Sequence, residues 1–199
     1  MLTAASISAK IDVPKLIAQL NDRLYLMQLA VVNVPMDSHC LFHAVLRKMK
    51  QLGHPTAPTN VKEMRRAVGE AIRHRRHEFL EVGEDPQTSY IMNNPIANTV
   101  YINTPDVTFE DYLLRMTDGT EYGDDFAIRA LCLLYNLTIR IVYAHSPTDH
   151  TIGSERGQIS SDGSILLPLS ITVGNLSDFH FVGTDPIQFP FPVTSVAYV

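Results

Sequence analysis

The sequence has little of several features that define whole classes of proteins. Its 199 residues include two cysteines, Cys40 and Cys132, which are too few for a disulfide framework or an all-cysteine zinc site. No apolar run approaches the roughly 18 residues that a bilayer span needs, and residues 1–13 lack the basic-then-apolar layout of a secretory signal. These absences predict a soluble protein of a reducing compartment, and we expect it in the cytoplasm.

Other missing signals narrow the function further. There is no internal repeat, no low-complexity run, no Gly/Ser-rich linker, no Walker-type glycine loop and no GxSxG motif. The 16 basic and 21 acidic residues give a net charge of −5, so the surface as a whole does not attract nucleic acid or anionic lipid. We therefore predict a single domain over residues 1–199, with no ATP, NAD or other cofactor and no membrane or nucleic-acid partner.

Apolar side chains recur at helical spacing through the first two thirds of the chain. Most of the segments that they form begin at a side chain that can cap a helix, and two of them end at Gly53 or Gly83. For the segment that opens with Cys40, the candidate caps are Asp37 and Ser38. The first predicted helix begins after Asp12, and the others cover residues 40–52, 60–83, 108–116 and 124–136.

The hydrophobic period changes after Asn136, from helical spacing to the alternation of a strand. The predicted strands cover residues 30–34, 139–143, 165–173 and 179–183. The fold class is therefore α/β or α+β, with a small central sheet flanked by helices. Residues 1–30 are predicted to form a helical N-terminal extension.

Cys40 is a candidate nucleophile because it opens a predicted helix. Unpaired N–H groups and the helix dipole stabilise a thiolate at such a position. The preceding turn, Asp37-Ser38-His39, brings backbone N–H groups to the place where an oxyanion forms in acyl transfer. The alternative is a small buried apolar residue at a helix start, which is the commoner role of a cysteine. Cys132, on a strongly apolar helix, is assigned to the core.

Three separated segments of the chain form a recognisable set. The first is MDSHCLFHAVLRKM at 36–49, the second is YLLRM and the pair Tyr122-Gly123 within 109–143, and the third is SDFHFVG at 177–183. In order, spacing and helix-to-strand context they resemble the ovarian tumour (OTU) family of papain-like cysteine proteases. The family's usual forms are DGNCLFRA at the nucleophile, YLxxM followed by WG, and HY at the catalytic histidine.

The resemblance implies a papain-type fold and a deubiquitinase, which hydrolyses the isopeptide or peptide bond after the C-terminal Gly-Gly of ubiquitin or a ubiquitin-like modifier. It implies Cys40 as the nucleophile, His180 as the base and Asp37 as the motif aspartate. The residues that it implies for oxyanion and substrate binding are Ser38, His39, Tyr122 and Phe181. Such an enzyme needs no metal or cofactor. We expect a monomer that binds ubiquitin or polyubiquitin chains in the cytoplasm, or in that of a host if a pathogen encodes it.

The sequence departs from the family's pattern near the implied catalytic residues. Ser38 and His39 replace the usual glycine and asparagine before the cysteine. Val182 lies two residues after His180, where the family often has the residue that orients the histidine. The candidates for that role here are Asp178, Asp37 and Asn33. The departures support a second hypothesis, an OTU-like module that binds ubiquitin without competent catalysis.

A basic segment at 61–77 is a further feature, with a charge of +4 from six basic and two acidic residues. Its basic residues are Lys62, Arg65, Arg66, Arg73, Arg75 and Arg76. We interpret it as a solvated helix face rather than an RNA-binding surface, because no aromatic residues alternate with the charges. His74 and His77 lie nearly one turn apart but lack a third metal ligand at convincing spacing.

Overall fold

The computed structural model describes residues 12–75, 108–153, 158–159, 165–177 and 180–188. Its helices are α1 (Val13–Tyr25), α2 (Cys40–Gln51), α3 (Val61–His74), α4 (Phe109–Asp118) and α5 (Asp125–Tyr135). Its strands are β1 (Leu29–Val32), β2 (Leu137–Tyr143), β3 (His150–Gly153), β4 (Gln158–Ile159), β5 (Ile165–Leu166), β6 (Leu169–Ser177) and β7 (His180–Pro186). None of these helices is long and apolar enough to cross a membrane.

Side-chain caps determine where most of the helices begin. Each cap accepts a backbone N–H that the start of a helix leaves unpaired. The cap and its donor are Asp12 and Lys15 in α1, Asn60 and Glu63 in α3, Thr108 and Asp111 in α4, and Asp124 and Ala127 in α5. These contacts confirm the helix starts that the capping side chains predict.

The second helix, α2, begins without a side-chain cap. His39 is its N-cap residue and makes no capping hydrogen bond with its side chain. The prediction of Asp37 or Ser38 as the cap is therefore wrong. A turn, closed by the Cys40 N–H and the Asp37 carbonyl at 3.2 Å, leaves both residues before the cap position. After α2, Gly53 has the left-handed conformation that its position predicts, at φ 65°.

The third helix, α3, is shorter than its sequence pattern predicts. The pattern continues to residue 83, whereas the helix ends at His74 and Arg75 is its C-cap, with φ −113° and ψ 28°. The basic residues of the last turn, Arg73 and His74, suit the negative end of the helix dipole. The remainder of this prediction, residues 76–83, lies outside the described residues.

The main sheet has the strand order β1-β7-β6-β2-β3. Strands β2 and β6 are parallel, and the other neighbours are antiparallel, with Asn175 of β6 opposite Phe181 of β7. The predicted strand at 165–173 is divided between β5 and β6, because Pro168 lies at the break and has no N–H to donate to a ladder. The strand predicted at 30–34 is the slightly earlier β1. A small sheet flanked by helices confirms the predicted fold class.

Two apolar clusters hold the helices on the sheet. The larger joins α2, α3, α4 and α5 to the sheet, and Cys132 lies in it with 5% of its surface exposed, as predicted. The smaller joins α1 to β2, β6 and β7 through Leu20, Leu24, Val142, Leu176 and Val182. A Cβ atom at Gly174 would lie 2.6 Å from Cδ2 of Leu20, so α1 crosses β6 where there is no side chain.

Polar contacts also fix α2 on β7. The Nζ atom of Lys48, a buried lysine in the last turn of α2, donates to the Thr184 carbonyl at 3.0 Å. Arg47 and Asp185 form an ion pair beside it, at 2.5 Å. Because both elements carry candidate site residues at their first positions, these contacts help to set the geometry of the site.

We expect Leu20→Ala to destabilise the domain, because it removes a fully buried side chain between α1 and the sheet. Leucine-to-alanine changes in a core cost about 2–5 kcal/mol of unfolding free energy, measurable here by urea denaturation. The control is Leu26→Ala, since Leu26 follows the same helix and is 86% exposed. The control should change the free energy by less than about 0.5 kcal/mol, and equal effects would contradict the packing of α1 on the sheet.

Candidate active site

The thiol of Cys40 lies where α2 and β7 both begin. Cys40 is buried, and the backbone N–H of Phe181 donates to its Sγ atom at 3.5 Å. His180, which is also buried, is the first residue of β7 and directly precedes Phe181. The structure therefore brings Cys40 and the beginning of β7 together, although 141 positions separate Cys40 from Phe181.

Burial favours the neutral form of both candidate groups. Removal from water raises the pKa of the Cys40 thiol above its ordinary value, although the Phe181 N–H acts to lower it. Removal from water lowers the pKa of the His180 imidazole below 6.5, and the negative charge of Asp37 acts in the opposite direction. A neutral thiol and a neutral imidazole suit a nucleophile and a base that have not yet exchanged a proton. They do not suit a preformed thiolate–imidazolium pair.

Asp37 organises the turn that precedes Cys40. Its Oδ1 atom accepts the N–H of His39 at 2.8 Å, and its main-chain carbonyl accepts the N–H of Cys40 at 3.2 Å. Its Oδ2 atom lies 3.9 Å from Nε2 of His43, one turn into α2. Asp37 therefore holds the two N–H groups nearest to the sulfur along the chain, one with its side chain and one with its main chain.

Ser38 is tied to the rest of the chain on two sides. Its hydroxyl donates to the Gly119 carbonyl at 2.5 Å, and its own carbonyl accepts from Nη1 of Arg65 at 2.9 Å. The prediction that Arg65 lies on a solvated helix face is wrong, because its side chain is fully buried. Position 65 follows Val61 by four residues and shares the apolar stripe of α3, a periodic signal that the charge of the residue concealed.

The rest of the basic segment is exposed as predicted wherever the structure describes it. The exposed residues are Lys62, Arg66, Arg73, His74 and Arg75. Arg76 and His77 lie outside the described residues. In the described part of the chain, no group of three or more His, Cys, Asp or Glu side chains is arranged to hold a metal ion.

His39 occupies a space that depends on a glycine. Gly119 has a left-handed φ of 98°, and a Cβ atom there would lie 2.4 Å from Cε1 of His39. The Nδ1 atom of His39 is buried and has no hydrogen-bond partner in the part of the chain that the structure describes. Burial lowers the pKa of this imidazole, and the charge of Arg65 adds to the effect. His39 is therefore a neutral, closely packed group in the turn before Cys40.

The two aromatic residues predicted to bind substrate lie in different surroundings. Tyr122 is half-buried. A Cβ atom at the following residue, Gly123, would lie 2.4 Å from Cδ2 of Leu41, so this glycine lets the segment touch the first turn of α2. Phe181 has 6% of its surface exposed and packs in the larger core cluster, while its backbone N–H faces the Cys40 sulfur.

The three candidates for orienting His180 differ in what the structure says of them. Asn33 is exposed, and Asp178 lies outside the described residues. Asp37 is the candidate whose charge acts on His180. Val182, at the position where the family often has the orienting residue, packs in the smaller apolar cluster. Within the described ranges, the Nδ1 atom of His180 is buried without a hydrogen-bond partner.

Gly119→Ala should disturb the turn before α2 by more than backbone strain alone. An alanine in the left-handed region costs about 1–2 kcal/mol, and at position 119 its Cβ atom also displaces His39. Gly53→Ala is the matched control, since Gly53 has φ 65° and nothing within 4 Å of an added Cβ atom. Urea denaturation should show the larger loss of unfolding free energy for Gly119→Ala. An equal loss in the two variants would contradict the contact with His39.

Comparison with known proteins agrees with this geometry. Residues 35–178, which include Cys40 and end before His180, match the family model of OTU-like cysteine proteases. The OTU domain of OTUD1 gives a TM-score of 0.57 at 14% identity, over 86% of this chain and 95% of that one. An OTU deubiquitinase from Wolbachia pipientis wMel gives 0.51 at 13% identity over 80% and 90%, and its structure bound to ubiquitin gives 0.52 at 12% identity over 81% and 98%. These structures confirm the predicted papain-like OTU fold, and the chain belongs to the family of OTU-like cysteine proteases.

Proposed function

We propose that the chain is a thiol-dependent deubiquitinase, which hydrolyses the bond after the C-terminal Gly-Gly of ubiquitin or a ubiquitin-like modifier. Membership of a cysteine protease family supports the reaction class. Two of the similar structures are of OTU deubiquitinases, one with ubiquitin bound, and they support the substrate class. The observation that carries the proposal is the hydrogen bond from the Phe181 N–H to Sγ of Cys40, because it joins the nucleophile motif to the histidine motif.

In this proposal Cys40 is the nucleophile and His180 is the base. The Cys40 sulfur attacks the carbonyl carbon of the C-terminal glycine while the imidazole takes the thiol proton. That proton then passes to the leaving lysine amine as the C–N bond breaks, and a thioester remains on Cys40. Water hydrolyses the thioester and restores the thiol. Because burial keeps both groups neutral beforehand, proton transfer accompanies the attack.

The turn before Cys40 is the proposed site for the oxyanion of the tetrahedral intermediate. Backbone N–H groups at the start of a helix stabilise a negatively charged oxygen. Ser38 and His39 form this turn, in which the N–H groups of His39 and Cys40 donate to Asp37 in this structure and would turn to the oxyanion as it forms. Asp37 accepts hydrogen bonds from the turn with both its side chain and its main chain, so we assign it the role of keeping the turn in shape.

Tyr122 and Phe181 are the proposed contacts for the Gly-Gly tail. Tyr122 lies on a segment that touches α2 through Gly123, and the backbone of Phe181 contacts the sulfur. In this proposal the tail passes between these segments, and specificity follows from a passage that accepts glycine and excludes larger side chains. The reaction needs a reduced thiol, which fits the reducing cytoplasm. We propose that the enzyme acts there as a monomer.

The second candidate function is binding of ubiquitin without catalysis. Two observations at His180 favour it: the residue two positions later, Val182, is packed among apolar side chains, and Nδ1 of His180 is buried without a hydrogen-bond partner among the described residues. A catalytic imidazole depends on an acceptor that holds it in the productive orientation. The two candidates therefore differ in whether Cys40 reacts with an electrophile at the ubiquitin C-terminus.

The pH dependence of Cys40 alkylation tests the proposed neutral pair. Burial raises the pKa of Cys40 and lowers that of His180, so the thiolate fraction at pH 7 is smaller than in a free cysteine. The rate of alkylation by iodoacetamide, followed at Cys40 by peptide mass spectrometry, should keep rising beyond the midpoint of a free cysteine at about pH 8.5. Cys132, whose pKa burial raises to about 12, should react more slowly throughout. A plateau below pH 7 would indicate a preformed thiolate–imidazolium pair instead.

Cys40→Ala should abolish cleavage and leave the fold intact, because it removes the sulfur without opening a large cavity. Wild type, Cys40→Ala and the control Cys132→Ala are each incubated with ubiquitin that carries a C-terminal electrophile, and with a panel of differently linked ubiquitin dimers. Wild type and the control should form a covalent adduct and cleave dimers. Cys40→Ala should do neither.

The three possible results separate the candidates. An adduct that depends on Cys40, together with cleavage, supports the deubiquitinase. Ubiquitin binding without an adduct, in folded and reduced wild type, supports the binding module. Retained cleavage by Cys40→Ala refutes the assignment of the nucleophile.

A further inference from the structure

Arg65 directs its guanidinium to the main chain of two other segments. Its Nε atom donates to the Met116 carbonyl at 2.9 Å, Nη1 to the Ser38 carbonyl at 2.9 Å and Nη2 to the Glu121 carbonyl at 2.5 Å. The guanidinium also lies over the Phe42 ring, 4.4 Å from its centroid. One fully buried side chain of α3 therefore joins the turn before α2 to the last turn of α4 and the segment after it.

The side chain keeps its charge in this setting. Burial lowers the pKa of Arg65 to about 10, so it is protonated at neutral pH. A buried charge is costly unless polar groups surround it. Here three carbonyl dipoles do so, and that of Met116 belongs to the negative end of the α4 dipole. The face of the Phe42 ring adds a cation–π attraction. A costly cation thus stands in the apolar stripe of α3, where an apolar side chain would complete the packing.

The bond to Ser38 is the one that bears on catalysis. The Ser38 carbonyl and the His39 N–H belong to one planar peptide group. Arg65 holds its oxygen at 2.9 Å, and Oδ1 of Asp37 holds its N–H at 2.8 Å. The peptide cannot rotate without breaking both bonds. Since this peptide lies one residue before Cys40, its orientation sets the path of the chain into the first turn of α2, and so the position of the Cys40 peptide next to the sulfur.

We propose that Arg65 is a positioning residue, which holds the Ser38–His39 peptide in the orientation that oxyanion binding at Cys40 requires. The inference rests on the proposed function of Cys40 as a nucleophile. Arg65 has no exposed surface for a substrate to touch, so it acts through the turn alone. Its loss should therefore lower kcat and leave KM nearly unchanged.

Three variants separate this role from a merely structural one. Arg65→Met introduces an apolar side chain of similar length and removes all three donor nitrogens. Arg65→Lys keeps the charge, but its compact ammonium cannot reproduce the planar fork that reaches three carbonyls. Arg23→Met is the control: Arg23 of α1 also donates to backbone carbonyls, and none of its hydrogen bonds to described residues reaches the turn before α2. Those carbonyls belong to Tyr143 at 2.5 Å, Pro147 at 2.9 Å and Ser146.

The variants and wild type are assayed on ubiquitin with a C-terminal fluorogenic amide, and kcat is referred to the folded fraction from urea denaturation. Hydrogen exchange of the peptide covering residues 37–42 is measured in the same proteins. Arg65→Met should lose about 10²-fold in kcat, the effect of removing one oxyanion donor, with faster exchange at 37–42. Arg65→Lys should show an intermediate loss. Arg23→Met should keep its kcat and its exchange at 37–42, although it is less stable.

Wild-type kcat in folded Arg65→Met overturns the proposal, and so does an equal loss of kcat in Arg23→Met. If Arg65→Met does not fold, Arg65→Lys decides by the same measurements, and unchanged kcat and exchange overturn the proposal. If wild type hydrolyses no substrate, the proposed function fails independently. In that case exchange at 37–42 still tests the hold of Arg65 on the turn, and unchanged exchange in its variants overturns it.

Discussion

The candidate site depends on the way in which α2 lies along β7. Among the polar contacts that join these elements, one runs from the Phe181 N–H to the Cys40 sulfur and another from Lys48 to the Thr184 carbonyl. Eight residues of helix rise about 12 Å, and three residues of strand span about 10 Å. The contacts are therefore spaced alike along both elements and follow the same chain direction. They fix the direction of the helix as well as its position, which keeps the sulfur at the beginning of the strand.

The strands on either side of β7 bring the rest of the site to the end of the sheet at which β7 begins. Strand β1 ends at Val32, opposite Gly183, so the chain that leaves it passes the beginning of β7 on its way to Cys40. On the other side, the register of β6 shifts just before Ser177, which pairs with His180. The motifs around Cys40 and His180 thus meet because their elements begin at the same end of the sheet, and not because they are close in sequence.

Much of this arrangement could be predicted, because its signals are local: capping side chains, the alternation of β2 and short motifs around the candidate residues. The burial of two charged side chains could not be predicted. Charged residues are normally exposed, and only the carbonyls that other elements bring to Arg65 and Lys48 show why these two are buried. The N-cap of α2 could not be predicted from local signals either. Capping preference favours Asp37 and Ser38, but the turn that makes His39 the N-cap is closed by the main chain.

In the family's motif, a glycine before the cysteine gives the turn its freedom. In this chain larger residues stand there, and a glycine elsewhere makes room for them. Ser38 donates to the carbonyl of Gly119, and His39 fills the space that a Cβ atom at Gly119 would need. Bulk in the turn is thus matched by the absence of a side chain across from it, so these two departures from the motif are compensated. The departure after His180 has no such match in the described part of the chain, where its Nδ1 atom has no hydrogen-bond partner. The described contacts thus fix the turn before Cys40 on two sides, and the charge of Asp37 is the described feature that favours a protonated His180.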